Sequence, residues 1–315
     1  MISPSDLGGL MAMMPAFATD DAQDIAATAT VSVDRLEKGL DRMIRDGADV
    51  VATTGSFGEF HTLLHEELEV LAGAAAEVNA KRVPLFIGTT GLNSREVVRK
   101  MRVVEKTSAD GVLLGVPFYF PSSPANVLQF YRSVAELFPK LGIMIYHNPA
   151  LHNVTLTLPI MAELAKIPNV VAMKDSHRQT GEFLRMMEET RGKIRVFVNQ
   201  LQYSAYAPLG AAGFWSIDAW MGPWPQLALR DAIASRDFTT ANRITVDLTP
   251  AGDRPKNLAW RETAAKVAVR YAGYVNPGPL RPPFVQVPPE VEEAQRKRAE
   301  RWLKLCAKYR HPVPA

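Results

Sequence analysis

The chain has a single cysteine, Cys306, among its 315 residues. One thiol cannot form a disulfide within the chain, and it cannot supply the cysteines of a zinc finger. A disulfide-stabilised secreted scaffold is therefore excluded, and we expect a reducing, cytoplasmic setting. The first 18 residues have no basic segment and are interrupted by Pro4, Asp6 and two glycines, so we do not expect a secretory signal peptide.

Long apolar runs and a large net charge are also missing. No segment approaches the ~18 uninterrupted apolar residues that a membrane-spanning helix needs. The formal net charge is +3, and many positive side chains fall between Arg296 and Arg310, interspersed with glutamates, as on a solvated helix face. We therefore expect neither a membrane nor a nucleic acid as partner. The 47% of hydrophobic and 22% of charged residues are typical of a globular enzyme.

Motifs that would indicate a bound nucleotide or metal are absent as well. Neither a Gly-x-Gly-x-x-Gly sequence nor a P-loop follows the first apolar run, which disfavours a doubly wound nucleotide-binding sheet. The six histidines lack ligand spacing with carboxylates. We therefore expect no metal and no dissociable cofactor.

Eight apolar runs alternate with segments of helical periodicity. The candidate strands are residues 9–14, 50–54, 83–89, 111–116, 143–146, 170–174, 195–199 and 213–217. Because these runs are continuously apolar rather than alternating, they favour a parallel sheet covered by helices. Eight strand–helix units within roughly 230 residues predict an α/β fold, the (β/α)8 TIM barrel.

The remainder of the chain shows helical patterns at residues 238–272 and 289–309, joined by a proline-rich segment. No further strand alternation occurs there. We therefore expect residues 1–236 to form the barrel and residues 237–315 to form a C-terminal helical extension packed on it as a single structural unit.

Polar and aromatic residues follow the predicted strands at their C-terminal ends, which form the active-site face of such a barrel. They are Gly55 to Glu59, Thr89, Thr90, Tyr119, Tyr146, His147, Asn148, Lys174, Asp175, Asn199, Trp215 and Ser216. This set is far more polar than the strand interiors.

Lys174 ends an apolar, β-branched strand. In an apolar site the pKa of a lysine falls and its free amine attacks carbonyl carbons, although a lysine at a strand end also extends to solvent along apolar surface. Schiff-base chemistry needs an amine, a proton shuttle and an anion site. Tyr146 offers a phenol, Ser56 a hydroxyl, and the glycine loop from Gly55 to Gly58 offers backbone N–H groups. Considered alone, Tyr146 is equally well interpreted as an interfacial tyrosine with a hydrogen-bonded hydroxyl. The glycine loop alone is also compatible with an ordinary turn between a strand and a helix.

Three motifs resemble the dihydrodipicolinate synthase/N-acetylneuraminate lyase family of pyruvate-dependent class I aldolases. They are Gly55-Ser56-Phe57-Gly58-Glu59, Tyr146-His147-Asn148-Pro149 and Val171-Ala172-Met173-Lys174-Asp175. The resemblance covers nearly the whole chain. It implies that the first motif grips a pyruvate carboxylate, that Tyr146 shuttles protons, and that Lys174 forms the Schiff base without any other cofactor. It also implies a homotetramer.

Within the family, the sequence is most similar to the hydratase-aldolases of polycyclic aromatic degradation. The stretches that carry this similarity are Gly115-Val116-Pro117, Gln129-Phe130-Tyr131-Arg132, Phe214-Trp215-Ser216 and residues 278–283. The similarity implies hydration and retro-aldol cleavage of a substituted benzalpyruvate (o-hydroxy or 2'-carboxy), with Asn148 and Trp215 positioning the water and the ring. His177 and Arg178 are candidates to meet a ring carboxylate, or else solvated loop residues.

Departures from the family pattern bear on the substrate. Leu151 stands where the synthase branch carries an arginine for a second carboxylate, which disfavours aspartate semialdehyde. An aromatic rim suits a flat partner better than a sugar; its predicted members are Phe57, Phe118, Tyr119, Phe120, Trp215 and Trp220. The alternatives are another pyruvate aldolase, dihydrodipicolinate synthase-like or acting on sugar acids, and a binding or regulatory barrel without catalysis.

Overall fold

The computed structural model describes residues 1–175, 178–249, 260 and 263–310. Eight strands form a closed barrel in chain order, each parallel to the next, and β8 pairs with β1. The strands are β1 Gly9–Met13, β2 Val50–Ala52, β3 Leu85–Gly88, β4 Gly111–Leu114, β5 Gly142–Tyr146, β6 Val170–Lys174, β7 Arg195–Asn199 and β8 Gly213–Ser216. The predicted TIM barrel is confirmed.

Helices cover the outside of the barrel and continue into the C-terminal region. They are α1 Val33–Arg45, α2 His65–Asn79, α3 Ser94–Glu105, α4 Pro124–Leu137, α5 Pro149–His152, α6 Leu158–Leu164, α7 Thr180–Thr190, α8 Tyr203–Tyr206, α9 Trp224–Ala234, α10 Phe238–Leu248, α11 Ala265–Ala272 and α12 Pro289–Tyr309. Single turns of 3-10 helix occur at Pro4–Asp6, Ala207–Leu209 and Asp218–Met221. No helix in the described part of the chain is long and apolar enough to cross a membrane.

Local chemistry explains where several helices begin. The side chains of Ser32, Asn93 and Ser123 each accept a hydrogen bond from a backbone N–H in the first turn of α1, α3 and α4. Such caps satisfy backbone donors that have no partner within the helix. Helices α1, α3 and α4 therefore each start at a defined residue. The caps also fix where the loop before each helix ends.

Some strands are shorter than their apolar runs predicted. Strand β2 ends at Ala52 because the chain turns at Thr54, which adopts a left-handed conformation with φ of 45°. The predicted helical region at 238–272 contains α10 and α11, and residues 250–259, 261 and 262 of that prediction lie outside the described residues.

The C-terminal segment packs on the barrel through α12 and the turn Asp218–Met221. The indole N–H of Trp302 donates to the carbonyl of Gly222 at 3.0 Å, and the side chain is 1% exposed. Arg298 forms an ion pair with Asp218. These contacts join α12 to the loop that follows β8.

Candidate active site

Lys174 lies at the mouth of the barrel, enclosed by two aromatic rings. It ends β6, pairs in register with Tyr146 at the end of β5, and is 5% exposed. Its Nζ is 3.7 Å from the ring centroid of Trp215, at the third position of β8, and 4.7 Å from that of Tyr146. The closed barrel therefore brings three separate strands to one amine.

The Tyr146 hydroxyl is 2.8 Å from Oγ of Ser56, and either atom can donate. The Ser56 backbone N–H is 3.5 Å from the same phenolic oxygen. Both side chains are buried, so this pair is shielded from solvent next to the amine. A phenol and a hydroxyl in contact form a relay that can carry a proton to or from a group bound at Lys174.

The loop at residues 55–59 is shaped by close backbone approach. A Cβ at Gly58 would lie 2.6 Å from the backbone nitrogen of Thr54, so no larger residue fits there. Glu59 closes the loop in a left-handed conformation, with φ of 52°. Within the described residues, the backbone N–H groups of Phe57 and Gly58 donate no hydrogen bond. They are the donors that this loop offers, and their binding of a carboxylate stays a prediction.

A buried ionic cluster of Glu59, Lys266 and Arg281 anchors this loop to the C-terminal segment. The Glu59 carboxylate accepts hydrogen bonds from Nζ of Lys266 at 2.5 Å, Nη1 of Arg281 at 3.0 Å and the Arg281 backbone N–H at 3.1 Å. Burial lowers the pKa of Lys266 to about 8, although Glu59 opposes this effect. Sequence reasoning assigned neither Lys266 nor Arg281 to the site, although Arg281 lies in the stretch at residues 278–283 that carries the family similarity.

We expect Glu59→Gln to lower the free energy of unfolding by about 3–5 kcal/mol, because it leaves two buried cations without their anion. Urea unfolding measures this change. The matched control is Glu293→Gln, which removes the partner of Arg296 on an exposed helix face and is expected to leave stability within error. Equal effects of the two substitutions would contradict the anchoring role of the cluster.

A second buried network supports the strand ends that carry Lys174 and Tyr146. Nδ1 of His147 lies 3.1 Å from Oδ1 of Asp175, and its Nε2 accepts the Leu156 backbone N–H at 3.1 Å. Nε of Arg178 is 2.8 Å from Oδ2 of Asp175. The Asp175 carbonyl accepts the Trp215 indole N–H at 3.1 Å, which fixes the ring over the lysine.

One of the two roles predicted for Arg178 is wrong. Its side chain is 2% exposed and pairs with Asp175 and the Leu156 carbonyl, so it is not a solvated loop residue, and its contact with a ring carboxylate stays a prediction. His177, the other candidate for that role, lies outside the described residues.

The predicted aromatic rim is partly wrong. Trp220 is fully buried and packs edge-on against Phe17 at 5.8 Å, because the turn after β8 directs it into the protein. Phe57 is 3% exposed, so its side chain is also not part of an open rim. Tyr119 and Phe120 are 72% and 74% exposed and contact each other edge-on. They are exposed at the surface, and their place at the rim of the site stays a prediction.

Another predicted residue, Asn148, lies just after the end of β5. Asn148 is half-buried and directly precedes α5, and its carbonyl accepts the backbone N–H groups of Leu151 and His152. Phe118, a predicted rim residue, lies edge-on to Phe60, which the prediction missed, with ring centroids 5.9 Å apart. Among the described residues, no group of three or more His, Cys, Asp or Glu side chains is placed to hold a metal ion.

His152, at the end of α5, is a further buried residue that sequence analysis passed over as a site residue. Its ring is edge-on to Tyr146, with centroids 4.8 Å apart. Burial lowers its pKa to about 4, and the nearby charge of Lys174 acts in the same direction. The imidazole is therefore neutral at physiological pH.

The lowered pKa of His152 predicts that the folded protein loses stability in acid. Between pH 6.5 and 4 the unfolded chain binds a proton at His152 that the folded protein does not, so stability falls as the pH is lowered through that window. The loss is about 2–3 kcal/mol. We expect His152→Gln to abolish this component when urea unfolding is compared at pH 7 and pH 4.5. An identical pH dependence in both proteins would contradict it.

Comparison with known proteins gives a consistent result. Residues 12–303 match the Dihydrodipicolinate synthetase family. The chain is 33% identical to Trans-O-hydroxybenzylidenepyruvate hydratase-aldolase of Pseudomonas putida, covering 98% of this chain and 96% of the relative. It is 26% identical to Trans-2'-carboxybenzalpyruvate hydratase-aldolase of Nocardioides sp. (strain KP7), with the same coverage. It is 27% identical to 4-hydroxy-tetrahydrodipicolinate synthase of Methanoculleus marisnigri, covering 90% of this chain and 97% of that one.

Among solved structures, one titled "PhdJ bound to substrate intermediate" superposes with a TM-score of 0.93 at 28% identity, covering 98% of this chain and 99% of that one. The match extends over the barrel and the C-terminal helices together. The chain therefore belongs to the dihydrodipicolinate synthetase family and is one of its class I aldolases, a carbon–carbon lyase.

Proposed function

We propose that this protein is a Schiff-base hydratase-aldolase that converts a substituted benzalpyruvate, o-hydroxy or 2'-carboxy, into an aromatic aldehyde and pyruvate. The observation that carries the proposal is the placement of Nζ of Lys174 between the rings of Trp215 and Tyr146, with the Tyr146 hydroxyl on Ser56. Such a step belongs to the breakdown of polycyclic aromatic hydrocarbons.

In the first stage the neutral amine of Lys174 attacks the 2-keto carbon of the substrate. Tyr146, relayed by Ser56, supplies a proton to the carbinolamine oxygen, which leaves as water. The product is an iminium conjugated with the carbon–carbon double bond and the ring. The backbone N–H groups of Phe57 and Gly58 bind the substrate carboxylate and fix the carbonyl carbon at the amine.

In the second stage water adds to the benzylic carbon, because the iminium withdraws electrons through the double bond. The enamine that forms takes a proton at C3, which gives a β-hydroxy iminium. We assign Asn148 and Trp215 to the positioning of this water and the ring. The Trp215 ring over the Lys174 amine supports its part of the assignment, and Asn148 follows Tyr146 by two positions at the end of β5.

In the third stage the relay of Tyr146 and Ser56 removes the proton of the new hydroxyl. The bond between C3 and C4 breaks, its electron pair moves into the iminium, and the aldehyde leaves. The remaining enamine is protonated at C3, and hydrolysis releases pyruvate and the free lysine. No external oxidant or reductant is needed, since the sequence adds one water across the cleaved bond.

An aromatic partner is supported by the surroundings of the site. Phe60 and His61, after β2, contact Phe118, after β4, and Phe284 of the C-terminal segment through edge-to-face rings. Leu151 offers no charge for a second carboxylate. The hydratase-aldolase relatives match over nearly their full length, in agreement with this choice.

We also propose that residues 1–236 and 237–315 act as one structural unit in a homotetramer. The ionic cluster of Glu59, Lys266 and Arg281 supports the first part, because it joins the substrate loop to the C-terminal segment. The exposed pair Tyr119 and Phe120 supports the second, since large exposed aromatic side chains favour a protein contact. Sedimentation equilibrium tests the assembly.

Substrate cleavage tests the proposed activity. The purified protein is incubated with trans-o-hydroxybenzylidenepyruvate and with 2'-carboxybenzalpyruvate, and aldehyde and pyruvate are quantified. We expect equimolar release from at least one of them. Condensation of pyruvate with aspartate semialdehyde, without cleavage of either benzalpyruvate, would contradict the proposal and support the synthase-like alternative.

A further inference from the structure

The neutral imidazole of His152 lies in a tightly formed place beside the reaction centre. It is 2% exposed, edge-on to Tyr146, and 6.2 Å from the ring of Phe118. A Cβ at Gly115 would lie 2.4 Å from its Cε1 atom, so glycine at the end of β4 makes room for the imidazole. The ring is therefore held in one position by packing on three sides.

One nitrogen of this ring has no partner. Among the residues that the structure describes, nothing hydrogen-bonds Nε2 of His152. The ring does hydrogen-bond the Tyr146 backbone, an interaction that favours the protonated form, as expected for an N–H donating to a carbonyl. In a neutral imidazole one nitrogen donates and the other accepts, so Nε2 presents a lone pair. Buried polar atoms are rarely left unsatisfied, which points to a ligand.

Taking the proposed function as given, we propose that Nε2 of His152 accepts a hydrogen bond from an ortho hydroxyl on the substrate ring, and that the enzyme thereby prefers o-hydroxybenzylidenepyruvate to its 2'-carboxy counterpart. This assigns a substituent preference to the site and a binding role to a residue outside the lysine–tyrosine–serine centre.

The order of groups along the pocket indicates that the hydrogen bond to Nε2 of His152 comes from the ortho hydroxyl of the ring and not from the benzylic hydroxyl. Lys174 fixes C2 of the substrate, and the pair of Tyr146 and Ser56 serves the hydroxyl two carbons away. Helix α5 follows the C-terminal end of β5, so His152 belongs to the segment that leaves the barrel at the face where the strands end. The aromatic ring extends from the benzylic carbon towards that face, which places its ortho position next after the group that Tyr146 serves.

A carboxylate at the same ring position has no hydrogen to donate to Nε2 of His152. An ionised carboxylate is only an acceptor, so its oxygen lone pairs would face the lone pair of the imidazole. Arg178, which could have offset this, is committed to the Asp175 carboxylate and the Leu156 carbonyl. The site therefore disfavours the 2'-carboxy substrate because Nε2 of His152 and the ring carboxylate are both left without a hydrogen-bond donor. Unpaired buried polar groups reject a substrate more strongly than a small difference in size does.

Three ortho-substituted benzalpyruvates test this inference on the wild-type enzyme without any variant. The hydroxy compound donates a hydrogen bond, the methoxy compound cannot, and the carboxy compound is only an acceptor. We expect kcat/KM for the hydroxy compound to exceed that for each of the others about tenfold or more. Equal values for the hydroxy and methoxy compounds would overturn the inference.

His152→Phe extends the test, because phenylalanine fills the place and offers no acceptor. We expect the hydroxy-to-methoxy ratio of kcat/KM to fall to about one, whereas His65→Gln, on the distant helix α2, keeps the wild-type ratio. Should His152→Phe fail to fold, His152→Gln, which retains an acceptor oxygen, is expected to give an intermediate ratio. Cleavage with an unchanged ratio overturns this inference alone, whereas no cleavage of any benzalpyruvate overturns the proposed function with it.

Discussion

Lys174→Ala is expected to lower kcat/KM for a benzalpyruvate by at least about four orders of magnitude. The amine is the only group in the described site placed to bond covalently to the keto carbon, since its Nζ lies between Trp215 and Tyr146. Without it no iminium forms, and neither hydration nor carbon–carbon cleavage has an electron sink. Steady-state kinetics at saturating and limiting substrate measure the loss.

A lysine elsewhere on the surface provides the matched control for this substitution. Lys166 forms an exposed ion pair with Glu163, and Lys166→Ala is expected to leave kcat/KM within about twofold. Far-UV circular dichroism should show both variants folded, because neither substitution introduces a polar or charged group into the interior. Activity of Lys174→Ala above one per cent of wild type would refute covalent catalysis.

Tyr146→Phe is expected to reduce kcat by about 10²–10⁴-fold. The substitution removes the hydroxyl that contacts Ser56 and leaves the ring beside Lys174 in place. Because the same hydroxyl serves carbinolamine dehydration and retro-aldol cleavage, both stages slow. KM should change much less than kcat, since the carboxylate is held by the loop at residues 55–59.

Tyr131→Phe is the control for loss of a buried phenol. Its hydroxyl donates to the Leu114 carbonyl at 2.8 Å, away from the relay, so its removal is expected to reduce stability by about 1 kcal/mol and leave kcat within about threefold. Single-turnover kinetics distinguish the stages. If Tyr146→Phe formed and cleaved the covalent intermediate at wild-type rates, the relay would have to be assigned to another group.

The barrel and its centre were predictable because they depend on short-range patterns. Continuous apolar runs located all eight strands, and the bounds of Val170–Lys174 and Arg195–Asn199 agree with the prediction. A closed parallel sheet places every strand end on one face, so Lys174, Tyr146 and Trp215 had to converge once those ends were known. The contact of Ser56 with Tyr146 follows from the same topology.

The rest depends on packing between distant segments. Glu59 meets Lys266 and Arg281 from more than 200 positions away, and no local pattern indicates which charges become buried together. Trp220 follows a strand end, as a rim residue should, but a 3-10 turn directs it against Phe17. Arg178 is buried because it pairs with Oδ2 of Asp175, while His147 contacts Oδ1 of the same carboxylate. The sequence does not show that His147 and Arg178 share this carboxylate.

Reductive trapping with borohydride identifies the lysine that forms the Schiff base. The full-length protein is incubated with pyruvate and sodium borohydride, digested, and examined by mass spectrometry for a reduced pyruvyl adduct. We expect one adduct per chain, on the peptide that contains Lys174, with loss of activity in proportion to its formation. An adduct on a different lysine, or complete retention of an unmodified and active enzyme, would contradict it.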